Sequence, residues 1–140
     1  MYSLYFDGAS KGNPGPASFG GVIYDENKKE ILIYNKAIGI YTNIVAEYMG
    51  VHMGILICIE NGIKKVDIYA NSKIVVEQLK GKSKVKEENI MAIYDKIQDV
   101  LHPKDEFFKK GHVFDHITFN YIGKNYNKRA IELVNNALDS

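Results

Sequence analysis

The chain has 140 residues, 46% hydrophobic and 25% charged, with a formal net charge of +1, which predicts one globular domain over residues 1–140 that needs neither disulfide nor structural metal to close its core. A balance so near neutral excludes global steering toward nucleic acid or a membrane, so any basic binding surface has to be local. The single cysteine, Cys58, excludes an intramolecular disulfide and fits a reducing compartment.

Cys58 lies in the apolar run "GILICI", which reads as a buried core thiol, because reactive cysteines need an accessible, electropositive setting. No basic leader opens the chain, and no run reads as the about 18 apolar residues of a membrane span. The expectation is a cytoplasmic protein with no membrane partner, a monomer in its simplest state.

In chain order, "YSLYFDGAS" alternates Tyr2, Leu4 and Phe6 with Ser3, Tyr5 and Asp7, the pattern of a strand in a sheet covered on both faces. "GNPGPA" breaks it. "FGGVIYD" and "KEILIYNKAI", joined by the polar turn "ENKK", read as an antiparallel hairpin. From Asn43 the period becomes helical, through Val45, Ala46, Met49, Met53, Leu56 and Ile57, with Asn43 as the cap and Gly62 as the stop. "VDIYA" predicts a strand, residues 72–79 a short helix closed by Gly81, and "EENIMAIYDKIQDVL" an amphipathic helix ended by His102-Pro103. Residues 102–116 read as a loop, "ITFNYI" as a last strand, and residues 127–138 as a last helix capped near Asn127. The order βββαβααβα predicts a mixed α/β sheet whose first strands are antiparallel and whose later ones arrive by helical crossovers.

Two carboxylates stand out. Asp7 ends a strand expected to be central, ahead of a glycine-rich segment; Asp-Gly is also a common turn dipeptide. Glu47 lies one turn into the long helix among Val45, Ala46 and Met49. A carboxylate in apolar company needs a helix dipole, a metal or a substrate to offset its desolvation.

The segments "DGASKGNPGPASFG", "TNIVAEY", "IYANSKIVVEQLKGKSKVKEEN" and "NKRAIELVNNAL" resemble, in order and spacing, the ribonuclease H type 1 family over nearly the whole chain, most closely its compact prokaryotic branch. The resemblance implies a ribonuclease H-like α/β fold, a five-stranded mixed sheet of order 3-2-1-4-5 with helices on both faces. It also implies metal-dependent endonucleolytic cleavage of the RNA strand of an RNA/DNA hybrid, with two Mg²⁺ (or Mn²⁺) ions held by four carboxylates. Such an ion pair activates the attacking water and stabilises the departing oxygen.

Mapped onto this chain, the first two carboxylates are Asp7 and Glu47. The third, in a family "DS" pair, falls on Asn71, and the fourth falls on Ile131. As a metal ligand Asn71 would offer one neutral oxygen and carry an amide NH₂ that repels a cation. Ile131 offers none, and its apolar neighbours on the helix suit plain packing; Glu132, about 100° further round, would substitute only if the helix were rotated. The chain is therefore expected to cut poorly or not at all. Asn71 is either native to a member that binds without cutting or an Asp-to-Asn change of the kind that traps a metal nuclease. A domain that keeps only the fold is a third reading, against which Asp7 and Glu47 stand.

The resemblance also places Ser10, Lys11, Gly12 and Asn13 against the RNA strand, and Thr42 and Asn43 near the second carboxylate. Backbone amides and Asn side chains can detect 2′-hydroxyls without reading bases. Lys80, Lys82, Lys84 and Lys86 alternate in "LKGKSKVK", either as a solvated charge run or, with Lys82 and Lys84 foremost, as a phosphate-contacting patch. "FFKKGH", residues 107–112, reads as core packing or as a strand contact. His52 and His102 read as structural, and His112 and His116 around Asp115 match no strong zinc spacing.

Overall fold

The computed structural model describes residues 1–103 and 113–139. Strands β1 (Tyr2–Ser10), β2 (Gly15–Tyr24) and β3 (Glu30–Tyr41) are followed by helix α1 (Asn43–Glu60), β4 (Lys65–Ala70), α2 (Lys73–Leu79), α3 (Glu88–Leu101), β5 (His116–Tyr121) and, after a 3₁₀ turn over Lys124–Tyr126, α4 (Lys128–Asp139). The sheet order is β3-β2-β1-β4-β5. β1 pairs antiparallel with β2 and parallel with β4, and β4 pairs parallel with β5. Both expectations for the sheet hold.

The alternation along β1 decides which layer each side chain meets. Leu4, Phe6 and Gly8 are buried and face α1, whereas Asp7 pairs with Gly20, whose missing Cβ would sit 3.0 Å from Leu133 of α4. Helices α1, α2 and α3 thus share one face, and α4 lies on the other. The main core is built on the first face, from Leu4, Phe6, Tyr48, Val51, Ile55, Ile68 and Ile97 among others.

Four expectations need adjusting. β2 begins at Gly15, inside the stretch read as a break, because only residues 11–14 turn and Pro16 enters the strand at its first residues, where a missing N–H is tolerated. The helix cap is Thr42, whose hydroxyl accepts from Val45 N–H at 3.3 Å; Asn43 is the first helical residue. α4 covers β1, β2 and β3 but leaves Tyr5 of β1 and Tyr69 of β4 half-buried, so the sheet is not sheathed on both sides along its whole width. Finally, α1 has 18 residues at a mean hydropathy of 1.2, long and apolar enough for a membrane span. Half of it is buried inside the fold, as in the core helix of a globular protein, because its charged residues are too few to lower the mean. Cys58 is fully buried, and desolvation pushes its thiol up to about 12.

Candidate functional site

The meeting of Asp7 and Glu47 depends on a residue between them in space. A Cβ on Gly8 would lie 2.3 Å from the backbone nitrogen of Glu47 and 2.4 Å from the carbonyl carbon of Ala46. Only glycine lets the first turn of α1 rest on β1 so closely. Glu47 is raised to about 7, mainly by burial, with a hydrogen bond from Ser72 pulling it down and the charge of Asp7 pushing it up. Asp7 is raised to about 6, again by burial, against the opposing effects of the Gly8 N–H and the Lys124 ammonium. Two desolvated carboxylates that repel each other make a place that favours a proton or a cation.

Ser72 and Lys124 were not singled out from the sequence. Ser72 stands at the N-cap of α2 without capping it, which leaves its hydroxyl for Glu47. Lys124 arrives from the turn before α4, and only the fold brings it to Asp7.

Asn71 follows β4, and its partner is Asn127. The Asn127 amide nitrogen donates to the Phe6 carbonyl at 2.9 Å and to Asn71 Oδ1 at 2.8 Å. The Phe6 carbonyl accepts only, so the Asn127 atom facing it has to be the NH₂, and the Asn71 atom facing that NH₂ has to be oxygen. The oxygen that Asn71 would lend a metal is neutral and already accepts one hydrogen bond, which leaves it a single lone pair, and the other atom of the amide only donates. Asn127 is 1% exposed, and its own Oδ1 is buried without a hydrogen bond.

The expected substrate-facing residues gather in two groups. Asn13 Oδ1 accepts from the Asn43 backbone N–H at 3.0 Å, which ties the turn after β1 to the start of α1. Ser10, Lys11, Gly12, Asn13, Thr42 and Asn43 thus form one surface. Ser10 Oγ is shielded from solvent and unpaired, and Lys11 Nζ reaches Asp139 at 3.0 Å. Beyond Asn43, Ile44 borders a groove of about 620 Å³ that also takes in Lys73, Lys84 and Lys86. Lys82 is exposed but lies outside that lining.

The lysine loop is held from within. Tyr48, fully buried, donates to Gln78 Oε1 at 2.5 Å, and Gln78 Nε2 donates to the Lys84 carbonyl at 3.4 Å. Buried Gln78 was legible only as a polar residue on a helix.

Elsewhere the chemistry thins out. Ile131 is half-buried and supplies no donor. Glu132 pairs with Arg129 on the exposed side of α4, so it does not replace a carboxylate at position 131. His116 pairs with Asp67 at 2.8 Å, and Thr118 donates to the same oxygen at 2.6 Å, which gives that histidine a structural partner. The segment "FFKKGH" and His112 lie outside the described residues. Among the described residues no three His, Cys, Asp or Glu side chains are grouped to hold a metal ion. Two carboxylates and one neutral amide bring too little negative charge and too few oxygen ligands to fit a two-ion centre.

The reverse transcriptase-like family matches residues 5–137. The bifunctional protein Rv2228c of Mycobacterium tuberculosis is 33% identical over 135 residues, 96% of this chain but 34% of that protein. A ribonuclease HI of Halobacterium salinarum is 28% identical over 96% of this chain and 63% of its own length. The chain therefore spans about a third of the length of the first of these relatives. Among solved structures, the N-terminal RNase H domain of the mycobacterial protein superposes with a TM-score of 0.87 at 31% identity, covering 99% of this chain and 93% of that one. LC11-RNase H1, isolated from compost and solved in complex with an RNA/DNA hybrid, superposes with a TM-score of 0.86 at 34% identity, covering 99% and 97%.

Proposed function

The chain belongs to the ribonuclease H type 1 family, and we propose that it recognises RNA/DNA hybrid through the surface joining residues 10–13, Thr42, Asn43 and the lysine loop, while cutting the RNA strand weakly or not at all. Asn43 and the turn after β1 lie where one backbone can be followed, and Lys84 and Lys86 line the adjoining groove where phosphates of a second strand would be neutralised. A structural relative solved in complex with an RNA/DNA hybrid supports hybrid binding as such.

The impairment rests on the neutral, non-carboxylate residues at two of the four expected ligand positions, Asn71 and Ile131. Divalent ions are general in the family and supply an activated water and charge neutralisation at the scissile phosphate. Here Asp7 and Glu47 would hold at most a single ion, since residue 131 is isoleucine and Asn71 brings only a neutral oxygen that already accepts from Asn127. Losing even an outer partner of a metal ligand costs about 10 to 100-fold, so the loss of direct ligands predicts a larger defect.

The test is cleavage of an end-labelled RNA/DNA hybrid in Mg²⁺ and in Mn²⁺ by this chain beside Asn71→Asp, with hybrid affinity measured in chelator. Tight hybrid binding by both, with cleavage confined to the variant, supports the reading. Rapid cleavage by the unaltered chain overturns the impairment, and absence of hybrid binding overturns the recognition.

A further inference from the structure

The face of the sheet that α4 leaves open carries a pocket of about 590 Å³ that the hybrid reading does not use. It is walled by Tyr5, Tyr24 and Tyr69 from β1, β2 and β4, and by Tyr126 from the turn before α4. The Tyr5 and Tyr69 rings stack at 4.7 Å with 17° between planes, and Tyr24 meets Tyr5 edge-on at 5.6 Å. Tyr126 is 77% exposed. A soluble domain gains nothing by holding out an aromatic ring so fully beside three others, unless something flat lies against them.

The charge at the rim selects what that is. Lys28, in the β2–β3 turn, and Lys128, at the start of α4, both border the pocket and are exposed. Neither side chain has an acidic partner among the described residues. Arg129, the third cation there, is already neutralised by Glu30 and Glu132. The pocket therefore pairs four π surfaces with two free positive charges and the amide of Asn125. Planar aromatic groups joined by phosphates satisfy that combination; an acidic peptide would use the lysines and leave the rings bare.

We infer that this pocket binds unpaired nucleotides of a single-stranded nucleic acid, stacking bases on the tyrosines and placing phosphates at Lys28 and Lys128. Stacking on aromatic side chains is sequence-tolerant, and the accompanying charge contacts make it salt-dependent. The site shares no lining residue with the hybrid surface, requires no metal, and adjoins the carboxylate site through Asn127, which lines the pocket and also bonds Asn71. A strand overhanging a hybrid end would have a second place to rest.

The experiment is fluorescence anisotropy of a labelled oligothymidylate in chelator, for this chain, Tyr126→Ala, Lys28→Ala with Lys128→Ala, and Lys82→Ala with Lys84→Ala. Thermal melts of each variant check folding, and blunt RNA/DNA hybrid serves as the comparison ligand. The expected result is measurable single-strand binding, weakened at least about fivefold by Tyr126→Ala. Its dependence on salt should lessen in the Lys28/Lys128 variant, while blunt-hybrid affinity is unchanged by either. Absence of single-strand binding overturns the inference. So does a loss seen only in the Lys82/Lys84 variant, which would assign the strand to the hybrid surface, and neither result touches the hybrid reading.

Discussion

Asn127 donates to Asn71 Oδ1 at 2.8 Å and, through the same nitrogen, to the carbonyl of Phe6 at 2.9 Å. The pair joins the start of α4 to the end of β4 and the middle of β1, and it fixes the amide of Asn71 in one orientation. An aspartate at position 71 would accept the same hydrogen bond with one oxygen and leave the other free. The polar framework of the site thus suits a carboxylate better than the residue it contains.

Divalent ions should then distinguish the two residues by stability alone. With Mn²⁺ about a hundredfold above its Kd, a ligand that binds only the folded state adds about 2.7 kcal/mol, roughly 8–10 °C in Tm for a chain of this size. Asn71→Asp should approach that shift, and the unaltered chain should move by less than about 2 °C. Differential scanning fluorimetry over a Mn²⁺ series measures it, and equal shifts would mean that Asn71 does not limit binding.

Replacing Asn127 with alanine removes both of its hydrogen bonds and strands the Phe6 carbonyl and Asn71 Oδ1 in a largely buried place. The expected loss is about 1–3 kcal/mol of folding stability, read from urea unfolding. A variant as stable as its parent would show that water takes over these bonds at little cost.

The carboxylate pair predicts a pH dependence with a definite sign. Asp7 and Glu47 titrate near 6 and near 7 in the folded chain, against ordinary values of 3.8 and 4.5, so the folded state binds more protons than the unfolded one across that interval. Their contribution is fully present below about pH 4 and is lost as pH rises through 6 and 7. Glu47→Gln, which keeps an acceptor for Ser72, should match the parent at pH 4 and exceed it by about 1–3 kcal/mol at pH 8. Thermal melts of both chains from pH 4 to 8 in chelator provide the check; a constant difference across the series would contradict the assignment.

A methyl group at position 8 is predicted to be severe. Gly8→Ala places a carbon 2.3 Å from backbone nitrogen of α1, and backbone on both sides cannot yield. The cost should exceed about 4 kcal/mol, outside the usual range for single substitutions. Circular dichroism with chemical denaturation would register it, and a fold of near-parental stability would mean that α1 rides higher on β1 than described.

The sheet order and the helices were legible because their signals are local and periodic. β1 spans residues 2–10 and alternates as its sequence does, and the helix stops at Gly62 and Gly81 fall at residues with φ of +70° and +79°. Asp7 and Glu47 were legible through motif spacing. Contacts between distant positions were not: Asn127 lies 56 residues from Asn71, and nothing in "GKNYNKR" says that Lys124 will face Asp7. Thr42 and Asn43 are both good cap residues, and only geometry chooses between them. The tyrosine cluster was hidden for a similar reason, since Tyr5, Tyr24 and Tyr69 read individually as ordinary strand residues.

The chain of bonds from Tyr48 through Gln78 to the Lys84 carbonyl ties one backbone point of the basic loop to the core before any ligand arrives. Ordering a mobile, rotamer-rich segment at the moment of association subtracts from affinity. Here the buried Tyr48 and Gln78 meet part of the backbone penalty at Lys84 during folding, while the exposed lysine side chains keep their rotamer freedom.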